Sequence, residues 1–129
     1  MESALRIALI DWLASDPLLP PLLNSITEEV PTRTSAPWLA IAASASVDWS
    51  TKDLRGREVR VALELHLRGD EGGESADLAA LVEDRIETMP AAQQGFRLVS
   101  THFLRARAQQ REHLTRAVLL EYRFRLLEA

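Results

Sequence analysis

The feature that most constrains this chain is a strictly alternating stretch near its middle. Every second residue from 59 to 67 is apolar, namely Val59, Val61, Leu63, Leu65 and Leu67. Successive side chains of a β-strand point to opposite faces, so residues 58–68 are predicted to form a strand with one buried face. The intervening residues are mostly charged or polar, which is typical of an antiparallel sheet covered on one side.

Three further segments predict strands of the same sheet. Residues 96–107 and 114–127 also predict strands, and they are joined through the polar tip Gln109–Glu112. Residues 38–51 predict a strand as well, although their many alanines leave a helix over 38–45 as the alternative. In the strand interpretation, one face of this segment carries Leu39, Ile41, Ala43, Ala45, Val47 and Trp49.

Two helices are expected beside these strands. Residues 2–15 are apolar nearly all round and end at Asp16-Pro17, because the residue before a proline is displaced from helical geometry. The second helix is expected to begin at Glu74 or Ser75 and to be ended by Pro90. Its apolar residues recur on one side at helical spacing, at Leu78, Leu81, Val82, Ile86 and Met89.

The order α-β-β-α-β-β predicts the fold class α+β, with a four-stranded antiparallel sheet and two helices packed on one face. A length of 129 residues is typical of one domain, so residues 1–129 are interpreted as a single domain. Arg6 and Asp11 interrupt the one apolar segment that resembles a signal peptide, and no run is long enough to span a bilayer. We therefore expect a cytoplasmic product.

Composition argues against several functional classes. The chain has no cysteine, which excludes disulfides, thiolate metal sites and thiol nucleophiles. Its net charge of −4 argues against free binding to nucleic acid, because phosphate contacts need a basic surface. A channel through which DNA passes without being held is compatible with this charge.

Catalytic and ligand-binding motifs are sparse. His66, His102 and Glu64 could approach one another if their strands were neighbours, but they lack the spacing of a metal site. Ser50 and Asp48 do not lie in a nucleophile elbow, and the glycine-rich segment lacks the lysine of a phosphate-binding loop. We therefore expect no catalytic residue, no metal and no cofactor, and a protein that is not an enzyme.

Two features point instead to contacts with other proteins. Arginines concentrate toward the end of the chain, where they form either cross-strand ion pairs or a basic rim that docks on an acidic neighbour. The segment Ala117–Leu120 is apolar on both faces, and the first helix has a similar excess. Either a second chain covers this excess, or the strand is central and lies under a long loop.

Segments spread over nearly the whole length carry a family resemblance. They are the N-terminal helix closed by Asp16-Pro17-Leu18, then Val30-Pro31, Ala36-Pro37-Trp38-Leu39, Asp48-Trp49-Ser50-Thr51-Lys52, Arg57-Glu58, Gly95-Phe96-Arg97-Leu98-Val99 and Tyr122-Arg123-Phe124-Arg125. In these segments the chain resembles the small tail-completion, or tail-terminator, proteins of long-tailed phages and gene transfer agents. Trp38 stands where that family often has tyrosine, and the Gln109–Glu112 tip replaces its frequent Asp-Gly turn.

The resemblance implies a structural protein. It implies a hexameric ring that caps the tail tube and joins it to the head-side connector or stopper protein, with DNA passing through the lumen and no membrane partner. After cytoplasmic assembly the protein would be part of the tail or neck of a virion-like particle. A closed ring needs two different complementary patches on each chain.

The residues expected to form these contacts follow from the apolar excess and from the exposed hairpins. Subunit contacts are assigned to the first helix and the last strand, at Leu5, Leu9, Trp12, Val118, Leu119 and Leu120. Axial docking is assigned to the hairpin tips 48–57 and 108–113, since loops are exposed and adaptable. The residues named there are Asp48, Trp49, Lys52, Arg55, Arg57, Arg107 and Arg111.

Two other functions remain open at this point. Another neck protein, such as a connector or stopper, would share the structural role but bind different tail partners. A small α+β ligand-binding or enzymatic domain would need a pocket with convergent polar groups.

Overall fold

A computed structural model describes residues 1–69, 72–112 and 114–129, leaving aside the side chains of residues 72–75. The first half contains helix α1 (Glu2–Ala14), a short 3-10 turn (Pro20–Leu22) and strands β1 (Ser25–Thr27), β2 (Trp38–Asp48) and β3 (Gly56–Arg68). The second half contains helix α2 (Gly72–Glu87) and strands β4 (Phe96–Arg111) and β5 (Thr115–Glu128). The α+β class is as expected, but the described residues form a five-stranded sheet instead of a four-stranded one.

The strands lie in the order β1-β2-β3-β5-β4. Each of the four long strands is antiparallel to its neighbours, as the alternating patterns predict. The additional strand β1 pairs in parallel with the start of β2, from Trp38 to Ala40. It lies in a segment without sheet periodicity, because three residues are too few for an alternating pattern.

Strand β2 contains an irregularity that corrects the predicted assignment of its faces. Leu39 and Ile41 are buried, but the pairing register shifts between Ile41 and Ala43. One extra residue in a strand reverses the alternation that follows it. After the shift, the face opposite to Leu39 and Ile41 carries Ala43, Ala45 and Val47. The helical alternative for residues 38–45 is also wrong.

Several element boundaries differ from those predicted. Strand β4 continues to Arg111, so that most of the predicted polar tip pairs with β5, for example Gln109 with Ala117. Strand β3 begins at Gly56, and α2 begins at Gly72, before the predicted start at Glu74 or Ser75. Residues 70, 71 and 113 of the predicted connections lie outside the described residues.

Both helices cover the same face of the sheet. Leu5, Leu9 and Leu13 of α1 join one buried cluster with Val82 and Ile86 of α2. The same cluster contains the alternating apolar residues of the two central strands, namely Val59, Val61, Leu63, Leu65, Leu67, Val118, Leu120, Tyr122, Phe124 and Leu126. We call the other side, which faces away from the helices, the open face.

The two helices are joined at their ends by Trp12 and Arg85. The Trp12 indole donates a hydrogen bond to the Arg85 carbonyl at 2.6 Å, and the Arg85 Nε donates to the Trp12 carbonyl at 2.9 Å. The guanidinium also lies 3.3 Å from the centre of the Trp12 ring and 3.6 Å from an Asp16 carboxylate oxygen. These contacts hold α1 and α2 together over the core.

Candidate interaction surfaces

The residues assigned to subunit contacts are largely covered within a single chain. Leu5, Leu9 and Leu120 are 0% exposed and Val118 is 8% exposed, because they belong to the core between helices and sheet. Trp12 is half-buried against Arg85, and Leu119 is half-buried on the open face. The side chains in the core cannot themselves form a subunit interface.

This burial means that most of the apolar excess is covered within a single chain, so a second chain is not needed to explain it. Helix α1 packs on the sheet, on α2 and beside β1, and only Ile7 among its large apolar residues is strongly exposed. Strand β5 is central, with β3 on one side and β4 on the other. The alternative of a central strand is therefore correct for residues 117–120, although no long loop covers them: Val118 and Leu120 join the core under the helices, whereas Ala117 and Leu119 lie on the open face.

The open face is a charged surface with cross-strand ion pairs. Glu58 on β3 lies 3.1 Å from the Arg125 Nε and 3.8 Å from the Arg123 Nε, both on β5. Arg105 on β4 pairs with Glu121 on β5, and this contact lowers the pKa of the Glu121 carboxyl. Much of the basic surface is thus balanced within the sheet, as one of the two sequence interpretations predicted.

The histidines considered for a metal site do not meet. His66 lies on β3 and His102 on β4, and β5 runs between these strands. His66 stacks on Trp38 with ring centres 4.8 Å apart and lies 3.3 Å from Glu64. Among the described residues, no group of three or more histidine, aspartate or glutamate side chains is arranged to hold a metal ion.

The serine and aspartate of the considered nucleophile set stabilise a turn. The Ser50 hydroxyl donates to Asp48 at 2.6 Å and accepts from the Gly56 backbone N–H at 3.0 Å. The two partners are the last residue of β2 and the first residue of β3. The hydrogen bonds of the Ser50 hydroxyl therefore stabilise the local turn.

The axial docking residues at 48–57 lie on a well-bonded hairpin. The Trp49 N–H donates to the Gly56 carbonyl at 3.0 Å, and the Thr51 N–H donates to the Leu54 carbonyl at 2.8 Å. The Arg125 guanidinium lies 5.4 Å from the centre of the half-buried Trp49 ring. Asp48, Lys52, Arg55 and Arg57 are exposed around this framework. The tip therefore presents charged side chains from a defined backbone.

The second set of axial docking residues lies on the β4–β5 hairpin. Arg107 and Arg111 are exposed within β4 itself and not in a loop. Arg111 lies 3.7 Å from Glu64 across the open face. Leu114, at the start of the return strand, has a φ of 57° and is 80% exposed. This hairpin therefore presents both charged and apolar side chains.

A shallow groove runs between α1 and the segment after α2. The groove is lined on the side of α1 by Ala4, Ile7, Ala8, Asp11, Trp12 and Ser15, and on the other side by Pro90, Ala92, Gln93 and Gln94. The lining is mostly apolar.

The two edges of the sheet were not identified from the sequence. Among the described residues, strand β2 has no neighbour on its outer side beyond its short pairing with β1. The outer side of β4 is bonded to residues 91–93 at Phe96 and Leu98, and these described residues leave it without a neighbour after Leu98. Exposed large apolar residues lie on both strands, at Val47 on β2 and at Val99 and Phe103 on β4. The alternating patterns do reveal the strands, but they do not reveal which of them lie at the edge.

No helix within the described residues is long and apolar enough to cross a membrane.

No curated protein matches the chain in sequence. A family model described as Tail completion protein gp17 matches residues 7–127. The fold is similar to a chain in a solved structure titled "Virion of native gene transfer agent (GTA) particle", with a TM-score of 0.82 and 25% sequence identity. The similarity covers 99% of this chain and 97% of that chain.

Proposed function

Because the chain belongs to the family described as Tail completion protein gp17, we propose that it is a ring-forming tail terminator of a phage-like particle. The resemblance inferred from the sequence is confirmed at the level of the family. The observation that carries the proposal is the full-length agreement with a chain of a gene transfer agent particle, at a TM-score of 0.82. A structural part in the tail follows from this kinship.

In the proposed assembly, copies of the chain form a closed ring, most simply a hexamer, at the head-side end of the tail tube. The ring stops tube growth and presents its other surface to the connector or stopper, while DNA passes through the lumen without specific binding. The exposed charged residues at the hairpin tips provide the axial contacts, since they extend from both ends of strands in a rigid sheet. The role requires no catalysis and no cofactor.

The proposal is tested by assembly of the tail-tube protein from the same genome. Tube protein polymerised with a small molar fraction of this chain should give shorter tubes with the chain at one end, as seen by electron microscopy. Bovine serum albumin at the same concentration is the control. Tubes of unchanged length, without bound chain, would contradict the terminator function.

A stopper or connector is distinguished by its preferred partner. Pull-down of the purified chain against the tail-tube protein and against the head-side connector measures this preference. A terminator retains the tube protein even when no connector is present. Retention of the connector alone would assign the chain to the neck on the head side of the terminator.

A further inference from the structure

We infer that the sheet continues from one subunit to the next, through pairing of the free part of β2 in one copy with β4 of its neighbour. We call these two segments the β2 edge (residues 43–48) and the β4 edge (residues 99–111, beyond the bonds that residues 91–93 make to Phe96 and Leu98). This inference rests on the proposed ring and names the surfaces that would close it. It replaces the core residues of α1 and β5 as the subunit contact.

The strand directions permit this continuation without any rearrangement. Strands β2, β3, β5 and β4 are adjacent in that order, and each is antiparallel to the next. Strand β4 therefore runs opposite to β2 of the same chain. A second copy that is related by rotation about an axis along the strands presents its β2 antiparallel to this β4. The new junction then has the same geometry as the three within each chain.

The β2 edge lacks the features by which proteins usually protect an exposed strand. From Ala43 to Val47 it contains only alanine, serine and valine, with no proline or charged residue before Asp48. Val47 is 59% exposed there. On the β4 edge, Val99 and Phe103 are 46% and 38% exposed. A neighbouring strand would cover apolar side chains on both edges and satisfy their outward backbone groups.

The charges of the two edges are complementary, which favours pairing of unlike edges. The β4 edge contains three arginines and no acidic residue, namely Arg105, Arg107 and Arg111; Arg105 also pairs with Glu121 and Arg111 lies 3.7 Å from Glu64. The β2 edge ends in Asp48, and Glu28 and Glu29 follow β1 beside it; Glu28 lies 3.3 Å from the Arg6 Nε, and Glu29 is exposed. Two β4 edges would repel each other, whereas β4 against β2 brings opposite charges together. A contact between two different patches on each chain is the type that generates a ring.

The experiment uses disulfide cross-linking, since these 129 residues contain no cysteine. Each double variant carries two cysteines on the open face. The first replaces Ala43, Ala45 or Val47 on β2, and the second replaces Ser100, His102 or Arg105 on β4. Within one chain these strands are three strand spacings apart, roughly 14 Å. A disulfide needs Cα atoms within about 7 Å, so any bond formed joins two different chains.

Antiparallel pairing predicts an ordered pattern of cross-links. If Ala45→Cys bonds with His102→Cys, then Ala43→Cys should bond with Arg105→Cys and Val47→Cys with Ser100→Cys. The matched double variants should give a ladder up to the full ring on a non-reducing gel, and each single-cysteine variant should give dimers at most. An ordered pattern with all positions shifted along the strand also supports the inference. A parallel order, or no ladder from any of the nine pairs, overturns it.

A second pair of variants tests the same contact without cysteine. Val47→Lys adds a charge at the β2 edge and should raise the dissociation constant for self-association at least tenfold, with little change in melting temperature. Leu18→Lys, at a residue 57% exposed between α1 and the 3-10 turn, is the matched control and should leave self-association unchanged. Equal effects of both substitutions would overturn the inference.

The outcomes for the edge contact and for the proposed function are separable. The chain could form a ring, measured by its mass, and shorten tail tubes without giving a β2–β4 cross-link. This outcome would overturn the edge contact and leave the terminator function supported. Ordered cross-links in a chain that neither binds nor shortens tail tubes support the edge contact and contradict the terminator function.

Discussion

Gly56 lies at the start of β3, where the β2–β3 turn and the end of β5 come together. A Cβ atom built at this residue would lie 2.3 Å from the Trp49 carbonyl oxygen and 2.8 Å from that of Leu126. Both obstacles are backbone atoms, which cannot move aside as a flexible side chain can. The glycine is therefore required by packing, and it determines how closely the hairpin approaches β5.

We predict that Gly56→Ala destabilises the fold by about 1–3 kcal/mol, the usual cost of overpacking. Chemical denaturation followed by circular dichroism measures the change. Gly69→Ala is the control, because Gly69 has a positive φ but no atom within 4 Å of the added Cβ. It should cost only the backbone strain, about 1 kcal/mol. A Gly56→Ala variant that is no less stable than the Gly69→Ala variant would contradict the packing argument.

Glu2 connects the start of α1 to β2. It accepts hydrogen bonds from the Ser44 hydroxyl at 2.7 Å and from the Arg6 guanidinium at 3.0 Å. Hydrogen bonds from Ser44 and Ser46, and then the charges of Arg6 and Arg57, hold the pKa of its carboxyl below the ordinary value of 4.5. The ionised form is thus favoured in the folded chain, and protonation weakens the link between helix and sheet.

The sign of the pH dependence follows from this lowered pKa. The stabilisation by Glu2 is fully present above pH 4.5 and is lost as the pH falls through the folded-state pKa. Glu2→Gln should therefore lower the free energy of unfolding by about 0.5–1 kcal/mol at neutral pH. The difference from the wild type should shrink toward pH 3. Glu29→Gln, at an exposed residue, should show no such difference; a constant difference for Glu2→Gln would refute the linkage.

At the scale of elements, the α1–α2 contact depends on one cation and one indole. Arg85 bonds to the Trp12 carbonyl and to the Ser15 hydroxyl at 2.9 Å, while its guanidinium lies over the Trp12 ring. Trp12 returns a hydrogen bond to the Arg85 carbonyl. The hydrogen bonds go to backbone carbonyls, so only the contact between the guanidinium and the indole ring requires both side chains.

We predict that Arg85→Met lowers the free energy of unfolding by about 1–3 kcal/mol, because hydrogen bonds to a charged group and the cation–π contact are lost together. Methionine keeps an apolar side chain in place of the arginine stem, so the change in the free energy of unfolding measures the contribution of the guanidinium group. Arg33→Met, at an exposed loop residue, is the control and should change stability by less than about 0.5 kcal/mol. Thermal unfolding of both variants distinguishes them. Equal stability of the two would show that the helices are held by the core alone.

The β2 irregularity shows how an element can be predicted while its orientation is not. The alternation of residues 38–48 indicates a strand, and the strand is present. The register shift after Ile41 turns the small residues that follow toward the open face. Neither half of the strand departs from ordinary periodicity, so the shift depends on pairing with β3 and is not visible locally.

For the whole molecule, the complementary charges of the two edges predict salt-dependent assembly. Raising the salt concentration from about 0.05 M to about 0.5 M shortens the Debye length and should weaken self-association by roughly tenfold. Sedimentation at a series of salt concentrations measures this change. Arg107→Gln removes one charge of the β4 edge and should make the dependence less steep. Association that strengthens with salt would favour a purely apolar contact.

By itself, the sequence determined the elements that have long, regular patterns. The alternation of β3, the one-sided apolar pattern of α2 and the Asp16-Pro17 end of α1 each depend on near neighbours in the chain. Burial of one face per element then requires a layer of helices on a sheet, which is the α+β class observed. The similarities in short segments along the chain were also sufficient to identify the family.

Only the tertiary structure decided which strands are neighbours and which surfaces remain free. It placed β5 between β3 and β4, so that Leu120 is covered within the chain. Among the described residues, it left the 43–48 part of β2 and the 99–111 part of β4 at the edges of the sheet. The axial residues of the 48–57 hairpin were found on a defined turn, while their docking role stays a prediction. Strand order and register are set by contacts between residues far apart in the chain. Local periodicity records whether a residue faces inward, but not which strand lies beside it.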